Sequence, residues 1–383
     1  MLPFFDQDHE NLRARVRAWV KEKLFRPRNQ NETTEQSAVQ LVKQLAAAGL
    51  LQYTVTGEFG GIRQAVSARD LCIVREELAR GEALADAMFA MQALGSYPVA
   101  LAGSKAQKQS YLTRVSKGSA IAAFAMTEAE AGSDAGSMQT RARRCDHGFS
   151  IKGTKCFISN AGIADFYIVF ASTQPDKKDQ GISAFVVDAA NSGLSVKEKT
   201  ALLSPHPIGI VEFNDCLVKA DALLGQEGEG LQIAFATLDL LRCTVGAAAV
   251  GLGQRALDEA IGYSKMRRQF GRVIAEFQGI EFKLAEMATE LEAARLLVYQ
   301  AAWAHDCAGG ETKIKSSMAK CYATEAAQRI VDQALQIHGG NGLIAGSIME
   351  RLYRDVRALR IYEGTSEIQK LIIARELLKR REA

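Results

Sequence analysis

The sequence predicts a mainly α chain with a β domain in its middle, and three observations carry that reading. Only 6 of 383 residues are proline while 48% are hydrophobic, which leaves long stretches free to coil, because proline is the strongest helix breaker. Short β-branched and aromatic runs, Phe166-Tyr-Ile-Val-Phe170 and Ile182-Ser-Ala-Phe-Val-Val187, fall only in the middle of the chain. From residue 228 onward there is no proline, and apolar residues recur at steps of four and three. These textures divide the chain into a helical block over 1–121, a β block over 122–227 and a helical bundle over 228–383, in keeping with a length of two or three domains.

The first block reads as helix at Leu71-Cys-Ile-Val-Arg-Glu-Glu-Leu-Ala-Arg80, with turns expected at Gly60-Gly61 and Ser96-Tyr-Pro98. Its longest uncharged stretch, 87–104, is broken by Gln92, Gly95, Ser96 and Pro98. It is read as buried helix and turn, not as a membrane span. In the middle block, residues 149–158 alternate on both sides of Lys152-Gly153, which reads as a hairpin. In the last block Ile280, Leu284, Met287, Leu291, Ala294, Val298 and Ala301 form one stripe, with Lys283, Glu286, Glu290 and Arg295 off it. That stripe belongs to a helix packed in a bundle or against another subunit.

Lys and Arg number 47 against 44 Asp and Glu, a formal charge of +3. This is too small a surplus to make nucleic acid or an acidic membrane the main partner. The seven cysteines show no Cys-x-x-Cys pair, so they are expected as scattered buried thiols in a reducing compartment, with no metal centre. The first ten residues turn acidic at once and carry no apolar core for a secretory signal. A cytoplasmic protein is expected, or a mitochondrial-matrix one after removal of a transit peptide.

Five segments could carry chemistry. In 123–134, Thr127, Gly132 and Ser133 lie where helix texture gives way to strand, which suits binding of an anion or heteroatom ring but also fits a capped turn. Phe157 and Ser159 sit two apart on a strand that ends in a polar turn, an aromatic beside a hydroxyl that suits a planar ring or a half-buried strand. Arg267-Arg-Gln-Phe-Gly271 through Gln278 interrupts two helical patterns with basic residues, as phosphate contact or as a solvated loop. Gln336-Ile-His-Gly-Gly-Asn-Gly342 has glycines that allow close backbone approach, but no strand precedes it as in a dinucleotide loop. Finally, Glu363 lies between Tyr362 and Gly364, beside Thr365 and Ser366, as a general base would. The Thr-Ser-Glu that follows also reads as a helix cap.

Taken together and in this order, the motifs resemble the acyl-CoA dehydrogenase family over nearly the whole chain. The match runs through Thr127-Glu128 with Gly-Ser-Asp134, Arg267-x-x-Phe-Gly271 with Gln278, Gln336-x-x-Gly-Gly-x-Gly342 and Ile361-Tyr-Glu-Gly-Thr-Ser366. The resemblance implies an N-terminal helical domain, a middle β-barrel-like domain and a C-terminal four-helix bundle, assembled as a homo-oligomer, usually a tetramer, with FAD in each subunit. By position, Phe124, Met126, Thr127, Ser133, Phe157, Ser159, Thr365 and Glu367 would line the flavin. Arg267, Phe270, Gln278, Gln336, Gly339 and Gly340 would reach the cofactor of a neighbouring subunit. Ser133, Asp239, Arg242 and Gly364 match substrate-contact positions, although Asp239 and Arg242 alone read as an intrahelical ion pair.

Glu363 falls where most relatives keep the catalytic base, and no glutamate lies between Gln232 and Gln254, where some subfamilies place it. The implied reaction is α,β-dehydrogenation of an acyl-CoA thioester in fatty acid metabolism, with electrons passed to an electron-transferring flavoprotein. An acyl-CoA oxidase, a flavin monooxygenase or a non-catalytic scaffold of the same fold are the alternatives. Residues 88–94 would floor the acyl pocket and carry no Arg or Lys, which disfavours a substrate with a distal carboxylate. One segment departs from the family. In 199–208, Pro205, His206 and Pro207 replace the usual Gly, Arg and hydroxyls, and His206 is expected as a surface loop residue.

Overall fold

The computed structural model describes residues 4–25, 32–146, 148–308 and 312–379. The first three residues of the acidic N-terminal segment lie outside the described residues. The chain opens with helices α1 (Gln7–Lys23), α2 (Thr34–Ala47), α3 (Ala68–Gly81), α4 (Ala83–Ala102) and α5 (Lys105–Ser116). Strands follow: β1 (Ala122–Ala125), β2 (Arg141–Cys145), β3 (Gly148–Ser159), β4 (Phe166–Ser172), β5 (Ile182–Asp188), β6 (Leu194–Lys199), β7 (Ile208–Lys219) and β8 (Leu223–Leu224). Helix α6 (Gly230–Met266) leads to a small hairpin, β9 (Arg268–Gln269) and β10 (Arg272–Val273). Helices α7 (Gln278–Trp303), α8 (Thr312–His338), α9 (Ile348–Ala358) and α10 (Ser366–Lys379) complete the chain. Internal contacts divide it into two compact units, one of Met1–Pro27, Ser67–Asp86 and Asp239–Ala383, the other of Arg28–Val66 and Ala87–Leu238.

The second unit is built on the sheet. Its strands follow the order β6-β7-β3-β2-β4-β5-β8, with β1 running parallel to β4. Alternate residues turn one face inward, so that Ala123, Phe149, Ile151, Tyr167, Phe185, Val211 and Phe213 meet in a single buried cluster. Residues 149–158 form no hairpin. They lie within the single strand β3, and the turn comes earlier, where Cys145 pairs with Gly148. Gly153 instead marks a bulge at φ 156°, where a Cβ would sit 2.4 Å from Thr140 Oγ1.

The expected turn at Ser96-Tyr-Pro98 is also absent, because α4 continues through it with Pro98 inside the helix. Tertiary contacts explain the override. A Cβ on Gly95 would lie 2.6 Å from Ala122 Cβ, so this glycine lets α4 press against β1 and does not break the helix. The Gln92 amide braces the same junction, donating to Ala120 O and accepting from Ala122 N, each at 2.8 Å.

In the first unit the stripe on α7 is buried at Met287, Leu291, Ala294, Val298 and Ala301, while Ile280 and Leu284 are half-exposed. Helix α3 buries charge as well as apolar surface: Arg75, Glu76 and Glu77 are 2%, 4% and 1% exposed. Each has partners, as burial requires. Arg75 holds Asp86 with two hydrogen bonds of 2.8 and 2.9 Å and donates to Thr244 Oγ1 at 2.9 Å. Glu76 accepts from Arg13 at 3.5 Å, from Arg295 at 3.1 Å and from the Tyr299 hydroxyl. Glu77 takes the Arg17 guanidinium in a fork. Arg295, off the apolar stripe, is thus an internal partner and not a solvated side chain.

Helix α6 is long and apolar enough to cross a membrane, yet 78% of its most apolar stretch is buried inside the protein. Cys72, Cys216 and Cys243 are buried, as expected of thiols, but Cys145 and Cys307 are exposed. Cys145 ends β2 and Cys307 follows the end of α7.

Two stability predictions follow from this packing. Gly95→Ala overpacks the α4–β1 contact and should cost about 1–3 kcal/mol in urea unfolding. Glu76→Gln removes the buried carboxylate that two half-buried guanidiniums, Arg13 and Arg295, share and should cost about 3 kcal/mol. Burial works against the Glu76 carboxylate, but Arg295 and Arg13 outweigh it and hold its pKa below 4.5. Its contribution is therefore present above pH 4.5, and the gap between wild type and variant should close as pH falls through the lowered pKa.

Candidate active site

Glu363 sits on the short connection from α9 to α10. Its backbone is left-handed at φ 53°, and Gly364 follows at φ 89°, two successive conformations that side chains avoid. Helix α8 clamps both ends of this loop. The Glu325 carboxylate accepts from Arg360 Nε at 2.9 Å and from the Ser366 hydroxyl at 2.7 Å. Lys320 Nζ donates to Gly364 O at 2.6 Å, and Gln369 Nε2 adds a bond to the same oxygen at 2.9 Å. Thr365 caps α10 by accepting from Ile368 N at 3.3 Å, so the capping alternative read from the sequence is realised there.

The residue Glu363 is partly exposed, but its Oε2 is buried and finds no hydrogen-bond partner among the described residues. Its amide likewise makes no backbone hydrogen bond among them. Burial pushes the Glu363 pKa above 4.5, and this outweighs the opposite pull of Arg75, Lys320 and Arg242. Burial also brings the Lys320 amine down to about 8, against the attraction of Glu363. The result is a carboxylate with a raised proton affinity and one oxygen left without a partner among the described residues, which suits a general base. Asp239 and Arg242, one turn apart on α6, form the ion pair that their spacing allows. Arg242 is only 4% exposed, and its Nε is buried without a partner among the described residues.

The unit with the sheet gathers the residues of the first two sequence segments. Phe124 and Met126 are buried at and just after the end of β1, while Thr127 is half-buried and Ser133 exposed. Cys156 N donates to Thr127 O at 2.8 Å, which ties this loop to β3. The loop is pinned from inside by Lys155, fully buried, whose Nζ reaches Met126 O and Glu128 Oε1, both at 2.9 Å. Glu128 in turn accepts from the amides of Gln139 and Thr140. Burial lowers the Lys155 pKa to about 8 despite Glu128.

Phe157 is 61% exposed and held at φ 55°, at a second register shift of β3 between Lys155 and Ile158. The strict period-two pairing with Ser159 is thus interrupted by a bulge, although both side chains remain outside the core. His206 is no plain surface residue. It is half-buried, with Nε2 3.0 Å from Ser159 Oγ and Nδ1 3.2 Å from Ser204 O. A carbonyl only accepts, so Nδ1 carries the proton of the neutral ring and the Ser159 hydroxyl donates to Nε2. Pro205 and Pro207 flank it, and Pro207 O accepts from Asn160 N at 2.8 Å, so the unusual loop docks onto the end of β3.

The remaining candidates lie on the surface of the first unit. Phe270 and Gly271, at φ 50° and 80°, form the tip of the β9–β10 hairpin, with Phe270 93% exposed. Arg267, Gln278, Gln336, Gly339 and Gly340 are exposed, as is Glu367. The end of α8 is joined to α6 near this hairpin by His338 stacked on Tyr263 at 4.3 Å. Sequence reading missed Arg75, Lys155, Lys320 and the His206–Ser159 pair. The available signal was a charge among small and apolar neighbours, as in Ser316-Ser-Met-Ala-Lys320, where Ser316, Ser317 and Ala319 are all buried.

These residues fit a flavin, as Phe157 shows: a large ring held out of the core on a strained backbone, one residue past the Cys156 N–Thr127 O bond, leaves an apolar face for a planar partner.

Comparison with known proteins agrees. The chain matches the acyl-CoA dehydrogenase N-terminal domain over residues 6–119, the middle domain over 123–216 and the C-terminal domain over 228–378. It is 40% identical to a 3-(aryl)acrylate reductase of Clostridium sporogenes, across 98% of this chain and 100% of that protein. Its fold superimposes on the butyryl-CoA dehydrogenase of Megasphaera elsdenii with a TM-score of 0.91 and 33% identity, covering 98% of this chain and 99% of the other. An acyl-CoA dehydrogenase from Bacillus anthracis complexed with FAD matches with a TM-score of 0.89 and 30% identity, over 99% of this chain and 68% of that one. With the N-terminal, middle and C-terminal domains all matched in order, the chain belongs to the acyl-CoA dehydrogenase family and is an FAD-dependent oxidoreductase.

Proposed function

We propose that this protein removes the α proton of an acyl-CoA thioester with Glu363 as the base, forming the 2-enoyl-CoA. The observation that carries this reading is the Glu363 carboxylate, with a raised pKa and a buried Oε2 that no described residue engages. FAD, when bound, supplies the acceptor for the hydride that leaves the β carbon. Phe124, Met126, Thr127, Ser133, Phe157, Ser159, Thr365 and Glu367 would hold it, with Arg267, Phe270, Gln278, Gln336, Gly339 and Gly340 serving the cofactor of a neighbouring copy. An α proton is far too weakly acidic for a free carboxylate, so the thioester carbonyl has to be polarised. The Glu363 amide, uncommitted among the described residues, is the chain's own donor for that oxygen. Arg242, beside Asp239, and Ser133 would contact CoA, and Gly364 would border the thioester.

Residues 88–94 carry no basic side chain, which supports an apolar acyl group. Electrons would pass on to an electron-transferring flavoprotein, and the assembly would be a homotetramer. A second reading rests on the 40% identity to a 3-(aryl)acrylate reductase. In it the same site works in the reducing direction, and protonated Glu363 returns the proton to the α carbon.

Anaerobic titration of the purified protein with straight-chain and aryl-substituted acyl-CoAs tests the proposal. At least one thioester should bleach the flavin absorbance, and Glu363→Gln should keep FAD and thioester binding while slowing the bleaching by at least about a hundredfold. Bleaching at the wild-type rate in Glu363→Gln would remove Glu363 as base. Oxidation of the reduced enzyme by an arylacrylate, with no bleaching by any saturated thioester, would establish the reducing direction. Fast reoxidation by air with release of peroxide would make the protein an oxidase.

A further inference from the structure

Helix α8 buries a lysine where a cation is expensive. Lys320 is fully buried, among Ser316, Ser317, Ala319 and Thr324, which are buried with it. A buried ammonium is normally retained only with a carboxylate partner. Lys320 forms no ion pair among the described residues. Its Nζ donates instead to the carbonyl of Gly364 at 2.6 Å, one residue past Glu363. The charged groups that act on Glu363 come from several elements: Arg75 on α3, Asp86 at the start of α4, Arg242 on α6 and Lys320 on α8, with Tyr362 adjacent in the chain. Cys321 and Glu325 on its own helix and Arg242 on α6 also act on the Lys320 amine.

Most of these charges are already neutralised locally. Arg75 is held by Asp86, Arg242 by Asp239, and Glu325 by Arg360. Lys320 is the cation that has only a neutral oxygen for a partner. Its charge acts on Glu363 together with that of Arg75, and its hydrogen bond to Gly364 O restrains the loop that holds Glu363 and Gly364 at positive φ.

Building on the reading of Glu363 as base, we infer that Lys320 is a positioning residue for the reaction: its ammonium anchors the Gly364 carbonyl and sets the proton affinity of the Glu363 carboxylate. Two consequences are separable. The hydrogen bond fixes where the carboxylate and its amide stand, and so governs the maximal rate. The charge favours ionised Glu363, and so governs the pH at which activity appears. Desolvation of the amine is the opposing force, and it brings the Lys320 pKa to about 8, so the ammonium is the form present below that pH.

The test is the pH profile of flavin reduction below pH about 8, with whichever acyl-CoA of the panel reduces wild type fastest. Lys320→Arg keeps donor and charge, Lys320→Gln keeps a donor without charge, and Lys320→Met keeps neither. The acidic limb should stay in place in Lys320→Arg and move to higher pH in Lys320→Gln and Lys320→Met. The plateau should fall further in Lys320→Met than in Lys320→Gln, on the order of tenfold to a hundredfold below wild type. FAD content and thioester affinity should be unchanged. Limbs that superimpose on wild type in Lys320→Gln and Lys320→Met would overturn the inference, since a merely structural lysine would not move them. Should Lys320→Met not fold, Lys320→Gln against Lys320→Arg decides the same question, because they differ in charge. Glu363→Gln assayed alongside separates the two readings: if it stays active the base assignment fails, and if it is inactive while the limbs do not move only the Lys320 assignment fails.

Discussion

Charge buried in the helical unit must be neutralised on the spot, and α3 carries three such charges in succession. Arg75, Glu76 and Glu77 lie almost wholly out of water, where an unpaired ion costs several kcal/mol. The only solution is to bring complementary groups from elsewhere in the chain. Arg13 and Arg17 come from α1, Asp86 from the start of α4, Thr244 from α6, and Arg295 and Tyr299 from α7. Satisfying one helix thereby fixes the positions of four others. Where α6 meets α3 the backbones touch, since a Cβ on Gly251 would lie 2.1 Å from Glu76 O. The same pairing bears on Glu363, because Arg75, bound to Asp86, is one of the cations that pull its pKa down.

The sheet unit meets the same constraint with a smaller device. Lys155 enters the interior from β3 and needs Glu128, and Glu128 needs the amides of Gln139 and Thr140. That chain of bonds closes the irregular segment after β1 into a defined loop, without regular secondary structure to hold it. Strain collects at its border: Phe157 and Asn160 both have positive φ, at 55° and 66°. Such conformations persist only when their surroundings over-determine them. Here the surroundings are the Lys155 clamp on one side and the docked Pro205-His206-Pro207 loop on the other.

Much of this was legible in the sequence because the signals were local. The stripe from Met287 to Ala301 follows from helical period alone, and the runs ending at Phe170 and Val187 from β-branching and turn residues. Glu363 stood out as a lone carboxylate between an aromatic, Tyr362, and a glycine, Gly364. What was not legible depends on partners distant in sequence. Gly95 and Pro98 look like a turn until Ala122 is brought against them, and Gly153 looks like a hairpin until Thr140 is. Lys320 looks like an exposed lysine until its carbonyl partner, 44 residues away, closes over it. His206 looks like a surface loop residue until its loop folds back on Ser159.

If Glu363 takes the α proton, its removal can be measured apart from hydride transfer. A thioester with no β hydrogen, 3,3-dimethylbutanoyl-CoA, can lose its α proton but cannot be dehydrogenated. Incubated with the FAD-loaded enzyme in deuterium oxide, it should take up deuterium at the α carbon, with a rate that rises as pH passes upward through the raised pKa of Glu363. Glu363→Gln should not catalyse this exchange. Equal exchange by wild type and variant, with both binding the thioester, would contradict the account.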